Sequence, residues 1–360
     1  FSQIGSEEVT NGSFSQEGAE QADDSVISNA GGSVMTKVSA LNYNATSDGT
    51  GGSTIRPRLL FNNTPLGKNY KLIIKPTNQS GTINFKLYNG GSYVIDNNDL
   101  SSDINFYFSV EGGASVLIAF DGTEVFNVDF EISLKEVGQD WSLDTGWSIG
   151  DDKAICDGTQ TSTSYCQQII PISTGDSVKL SIDVTVDSGT FTILDGNSGT
   201  IVLSETVSGT YTVYFTWSGS NSNLFLRAPI GFVGSVTNIS VKEVGQNWTL
   251  ASGWSIGDGV AVAEAGVATK LVQSNTFNGK NVKVTLTISD YGGSGVAIVD
   301  FGSTSGGSIG ANGTYTFYGQ YDINNFELYK SATFNGSVTN ISVIEITDDT
   351  NLPRINYSGF

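Results

Sequence analysis

Histidine is absent from the 360 residues, methionine occurs once, cysteine twice and proline six times. Without imidazole the chain lacks the commonest general base and the commonest metal ligand. Ser-His-Asp and Cys-His catalysis are excluded, as are zinc sites built on histidine. Positive charge is scarce as well: 17 Lys and Arg stand against 36 Asp and Glu, a formal net charge of -19. Such a surface repels phosphate, which argues against nucleic acid and anionic membranes as partners. No apolar run reaches the ~18 residues needed to span a membrane, and 3.6-residue periodicity is nearly lacking. What is plentiful is glycine, at 44 residues, together with Ser, Thr, Val, Ile, Tyr and Phe. That mixture favours strands joined by Gly-rich turns. Phe1 in place of Met and the closing "NYSGF" read as processed ends or as cuts inside a longer protein.

The chain repeats itself. "ISLKEVGQDWSLDTGWSIGDDKA" begins at Ile132 and "ISVKEVGQNWTLASGWSIGDGVA" at Ile239. Upstream phrases also align, among them "NYKLIIKPT" from Asn69, "SVKLSIDVT" from Ser177 and "NVKVTLTIS" from Asn281. Each alternates apolar and polar residues, the period of a half-buried strand. The repeats divide the chain into an atypical first module at 1–138, a second at 139–245 and a third at 246–347, followed by a tail at 348–360. The predicted fold is all-β: three tandem antiparallel β-sandwiches of jelly-roll type. "KEVGQDW" runs from one module into the next with almost no linker, which predicts a stiff array.

A parity count picks out candidate ligand-binding residues. The aligned strands "INFYFSV", "YTVYFTW" and "YTFYGQY" place Ile104, Phe106, Phe108 and Val110, and their counterparts, on the core face. The opposite face carries Tyr107, Tyr214 and Tyr318, flanked in the later modules by Thr212, Thr216, Thr316 and Gln320. A sugar ring can stack on such a tyrosine while its hydroxyls bond the polar neighbours, which makes a surface glycan a candidate partner. The competing reading is a tyrosine that supports cross-strand packing, or is covered by the second sheet or a neighbouring chain. Trp141, Trp147, Trp248 and Trp254 sit where the chain enters each later module and read as core. Cys156 and Cys166 flank "DGTQTSTSY"; read as a hairpin, this places them opposite each other as a disulfide or as two free thiols. Asn-x-Ser/Thr triplets, as at Asn44, Asn238, Asn247 and Asn340, are frequent as expected of this composition. No pair of carboxylates recurs on an apolar background, so a glycosidase dyad, and an enzyme generally, is not expected.

"SEEVTNGSF" (Ser6–Phe14) resembles the opening strand of carbohydrate-binding-type jelly rolls. The spacing of Trp141 with Trp147 and Trp248 with Trp254, followed by "SIGDD" or "SIGDG", resembles modules of bacteriophage fibre and other virion proteins, marine phages in particular. "DTNLPRINYSGF" (Asp349–Phe360) is similar to a phrase from the same proteins. The resemblance implies a virion-surface or extracellular location and a structural or adhesive role. It also implies self-association, in fibres often as trimers, or contact with other virion proteins. A secreted bacterial array of carbohydrate-binding modules is the alternative. Jelly rolls of this kind commonly bind a structural calcium near the first and last strands. That makes Glu136, Glu243 and Glu345, with Glu7 or Glu8, candidate ligands; no other cofactor is expected.

Overall fold

The computed structural model describes residues 3–347 except 52–54, 91, 113–115 and 198. The tail phrase therefore lies outside the described residues. Every element among them is a strand, and every strand pairing is antiparallel. No helix long and apolar enough to cross a membrane is present there.

The second module shows the plan. One sheet runs in the order Ser142–Leu143, Ser164–Ile169, Asn223–Ala228, Phe191–Asp195, Ile201–Glu205. The other runs Trp147–Gly150, Lys153–Cys156, Val233–Glu243, Ser177–Ser188, Gly209–Thr216. Without the first strand of each, the remaining eight have jelly-roll order. Alternation drives the packing: Val178, Leu180, Ile182 and Val184 are buried between the sheets, while Lys179, Ser181 and Asp183 face outward. Each fully buried aliphatic or aromatic side chain contributes about 1.5–3 kcal/mol, and each module has its own buried cluster. The first module has the same strand order plus one added strand, Glu17–Glu20. The third lacks the fifth strand of the first sheet; there the bridges Ala297 to Ile309 and Asp300 to Ser305 stand in its place.

The last strands bulge at "TNIS". Asn238 and Asn340 adopt left-handed backbone, with φ of 52° each, where the ladder to the preceding long strand shifts register. Asparagine tolerates this conformation better than most residues. At Asn238 the side chain is also held by the Asp183 carboxylate at 2.7 Å. Two of the Asn-x-Ser triplets thus mark a bend in the sheet.

The N-terminal residues leave the module in which sequence proximity puts them. Residues 4–14 lie along the second module instead. Ile4 bridges Val244, Gly5 donates to the Glu243 carbonyl at 2.8 Å, and Ile239 donates to the Gly12 carbonyl at 2.9 Å. Val9 and Phe14 complete the second module's core, where Phe14 packs on Trp141 with ring centroids 5.0 Å apart. Gln168 fastens the segment from the other sheet by accepting from the Thr10 amide and donating to its carbonyl, both at 2.9 Å. The chain then crosses to the first module, where Glu17–Glu20 pairs with the end of Val125–Val137. The resemblance of Ser6–Phe14 to an opening strand thus describes an element of the second sandwich.

Cys156 and Cys166 are also placed differently from the hairpin expectation. Lys153–Cys156 belongs to one sheet and Ser164–Ile169 to the other, so the intervening loop crosses the sandwich. An Asx turn starts that crossing, with Asp157 accepting from the Thr159 amide at 2.9 Å. Both thiols are free and buried. Burial pushes both upward from the ordinary thiol value, most strongly Cys166.

Candidate functional surfaces

The seams between modules account for two of the three tyrosines. Gly138 and Gly245, in the repeated "EVGQ", adopt φ of 69° and 68°. A Cβ on either would strike Ile149 or Ile256 of the next module, at 2.7 Å and 2.3 Å. Only glycine suits both the backbone and the space. The turn closes at once, Trp141 donating to the Gly138 carbonyl and Trp248 to that of Gly245, at 3.0 Å and 2.8 Å. The next module's "WSIG" strand then comes to rest against the previous module's tyrosine. Tyr107 packs on the second module's core and faces Gly150; Tyr214 packs on the third module's core and faces Gly257. A Cβ on Gly257 would stand 3.1 Å from the Tyr214 Cβ. Lys71 lies over the Tyr107 ring at 5.7 Å and Lys179 over Tyr214 at 5.6 Å. Neither ring offers an open face for a sugar. Both are covered by the next module of the same chain, a cover that neither expectation named.

Tyr318, at the same register in the third module, is 40% exposed. Thr316 and Gln320 beside it are exposed, as are Thr212 and Thr216 in the second module. The Gln320 amide donates to the Gly279 carbonyl at 3.2 Å, and Thr316 shares a hydrogen bond with Thr285 at 3.4 Å. A second exposed aromatic, Tyr93, sits on the other sheet of the first module. It meets Tyr88 edge-on at 5.5 Å and lies under Lys86, also at 5.5 Å. Sequence reading passed over this pair because it has no counterpart in the other modules.

The tryptophans close the seams and cores. Trp141, Trp147 and Trp254 are buried, and Trp248 is half-buried against Phe326 at 5.8 Å. A polar cleft of about 530 Å³ opens at the first seam, lined by Asn69, Ser109, Asp144, Trp147 and Asp157 among others. The Trp147 indole N–H is buried without a hydrogen-bond partner, but so is that of Trp254. The recurrence makes it a property of the module and not of the cleft.

The three candidate calcium ligands lie one per module, so they share no site. Glu136 is paired with Lys68 at 2.9 Å and Glu345 with Lys280 at 2.7 Å. Among the described residues Glu243 has no such cation; burial, with Asp176 and Glu8 nearby, pushes its carboxyl above the ordinary value. Glu7 is engaged by Ser240 and by the Val241 amide. Calcium requires six to eight oxygens, and among the described residues no cluster of three or more acids is arranged to hold a metal. The residues present do not fit the ion.

Fold and surfaces together define a tandem jelly-roll protein whose modules pack end to end. No described protein family matches the chain, and no curated protein matches it. Among solved structures it is similar to the N-terminal CBM22-1-CBM22-2 tandem domain of Xyn10C from Paenibacillus barcinonensis, at 9% identity and a TM-score of 0.24. That match covers 64% of this chain and 98% of the other. It is also similar to a chain of Sulfolobus Turreted Icosahedral Virus, at 13% identity and a TM-score of 0.19, over 88% of this chain and 91% of that one. Likenesses of this size say nothing about what this chain binds.

Proposed function

We propose that the chain is an extracellular structural and adhesion protein, a stiff shaft such as a virion fibre or appendage uses to hold a binding end away from its base. The construction of the seams carries this reading. Two successive junctions use the same glycine turn, the same isoleucine contact and the same half-buried tyrosine, and the N-terminal segment is laced across both. A junction built twice in this way resists bending. The net charge of -19 keeps such a shaft soluble. Self-association, as a trimer in the fibre case, and the absence of an enzymatic activity belong to the same proposal. Small-angle scattering with light scattering tests it: the expected result is one extended shape of fixed length. Modules that sample many angles would overturn it.

The second reading is a carbohydrate-binding array, favoured by the open ring of Tyr318 with Thr316 beside it. A glycan screen in which binding is lost in Tyr318→Ala supports it; binding that survives this change refutes the site.

A further inference from the structure

The last strands of the three modules carry one phrase: Ile132-Ser133-Leu134, Ile239-Ser240-Val241 and Ile341-Ser342-Val343. In the first two, an N-terminal acid is seated on it in the same way. Glu20 accepts from the Leu134 amide at 2.8 Å and the Ser133 hydroxyl at 2.6 Å, and the following Gln21 amide donates to the Leu134 carbonyl at 2.8 Å. Glu7 accepts from the Val241 amide at 2.7 Å and from the Ser240 hydroxyl, and the following Glu8 amide donates to the Val241 carbonyl at 2.9 Å. Each carboxylate also accepts from the amide two residues on, that of Ala22 at 2.9 Å and that of Val9 at 3.2 Å. Ala22 and Val9 are themselves buried in the respective cores. Two residues before each acid stands a glycine. A Cβ on Gly18 would meet the Gln139 side chain at 2.6 Å, and one on Gly5 would meet that of Gln246 at 2.1 Å. Both occupants therefore read Gly-x-Glu-x-Val/Ala, at residues 5–9 and 18–22.

The third copy of this groove has no occupant among the described residues. Strand Phe334–Glu345 pairs on one side with Asn281–Gly293 as far as Glu345. On the other side Val260–Ala263 covers only Gly336 to Val338. Val343 stands opposite Val284 as Val241 stands opposite Leu180, so its amide and carbonyl point to the open edge. Exposure agrees: Ile239 and Val241 are 4% and 0% exposed and Ile132 and Leu134 both 0%, whereas Ile341 and Val343 are only partly covered.

We propose that this edge is an acceptor for an extended Gly-x-Glu-x-Val/Ala strand delivered by another polypeptide. The strand runs antiparallel to Ile341–Glu345, its carboxylate on the Val343 amide and the Ser342 hydroxyl, its small apolar side chain over Ile341 and Val343. This is strand addition at a sheet edge. The chemistry of the occupant follows from the two sister grooves, which the same pattern fills. Both N-terminal segments of this chain are already placed, and residues 348–360 contain no glutamate.

The probe is a fluorescent peptide with the sequence of Gln3–Phe14, titrated into the full chain and followed by anisotropy. Saturable binding is expected. It should weaken at least tenfold when the peptide's Glu7 is replaced by Ala, a change that leaves the protein's fold untouched. It should also be lost in the protein variant Val343→Pro, which removes the outward amide while leaving the Asn281–Gly293 ladder its bonds. No binding to the full chain overturns the proposal. So does binding unchanged by Val343→Pro, which would mean exchange into the second module. Binding that emerges only after removal of residues 348–360 overturns it too, because the tail would then be the occupant.

Discussion

The second and third modules share seam, final phrase and all of their strand order but one edge strand, yet differ in what covers them. The second is roofed by residues from the far end of the chain, which bring Val9 and Phe14 into its core, and its Tyr214 is capped by the next module. Among the described residues the third has neither cover: Tyr318 faces outward, and Val343 sits at an open edge. Similar local sequences thus end with different burial, because burial is set by neighbours distant in sequence.

The comparison can be broken most directly at Phe14. Phe14→Ala should cost the second module about 3–5 kcal/mol and leave the third unchanged. Hydrogen exchange resolved by module will show this, since a three-module chain has no single unfolding free energy. Uniform loss of protection would mean that the modules do not fold as separate units.

Tyr214 and Tyr318 provide the next contrast. Tyr214→Ala, which removes a half-buried ring, should cost about 1 kcal/mol and broaden the distribution of lengths in scattering. Tyr318→Ala should stay within about 0.5 kcal/mol, as surface changes do. Equal effects would mean that the second seam is not closed by the ring.

A smaller effect separates the modules by pH. Lys330 is fully buried in the third module, its ammonium donating to the carbonyls of Glu264 and Val267, both at 2.7 Å. Burial lowers its pKa from the ordinary 10.5, with Glu264 opposing. Between the folded and unfolded values the unfolded chain binds more protons, so the third module gains stability as pH rises toward 10. Above 10 buried Tyr321, pushed upward by burial, works in the opposite direction. Lys330→Met should flatten the rise, at most about 1.4 kcal/mol per pH unit, when melting is followed across that window. The second module has Ala228 at the matching position.

The smallest expected effect is that of reductant. The free thiols of Cys156 and Cys166 lie in the second module, whose cover is a hydrogen-bonded segment and not a crosslink. Melting with and without reductant should coincide, and both thiols should react only after unfolding.

The alternation in "SVKLSIDVT" and the parity of Tyr107, Tyr214 and Tyr318 were legible, because period two fixes the face wherever one face is buried. The module seams were legible because Gly138 and Gly245 repeat in an otherwise copied phrase. Parity could not show which outward tyrosine meets another module, since that depends on whether a module follows. Nor could it show that the loop after Cys156 changes sheets, because an Asx turn suits a hairpin and a crossover equally well. The docking of residues 4–14 on the second module lay in a five-residue pattern, Gly-x-Glu-x-Val/Ala, read twice at a spacing too short to stand out from the long repeats.

That docking has a consequence for synthesis. A chain emerging amino end first exposes Val9 and Phe14 long before their seat exists, because Val241 and Glu243 are translated more than two hundred residues later. The first sandwich can close behind the ribosome, while the second waits for a segment that has travelled ahead of it. Closing so long a loop is slow, and until then Ile4, Val9 and Phe14 are exposed on an unseated segment, one open to a chaperone or to a protease.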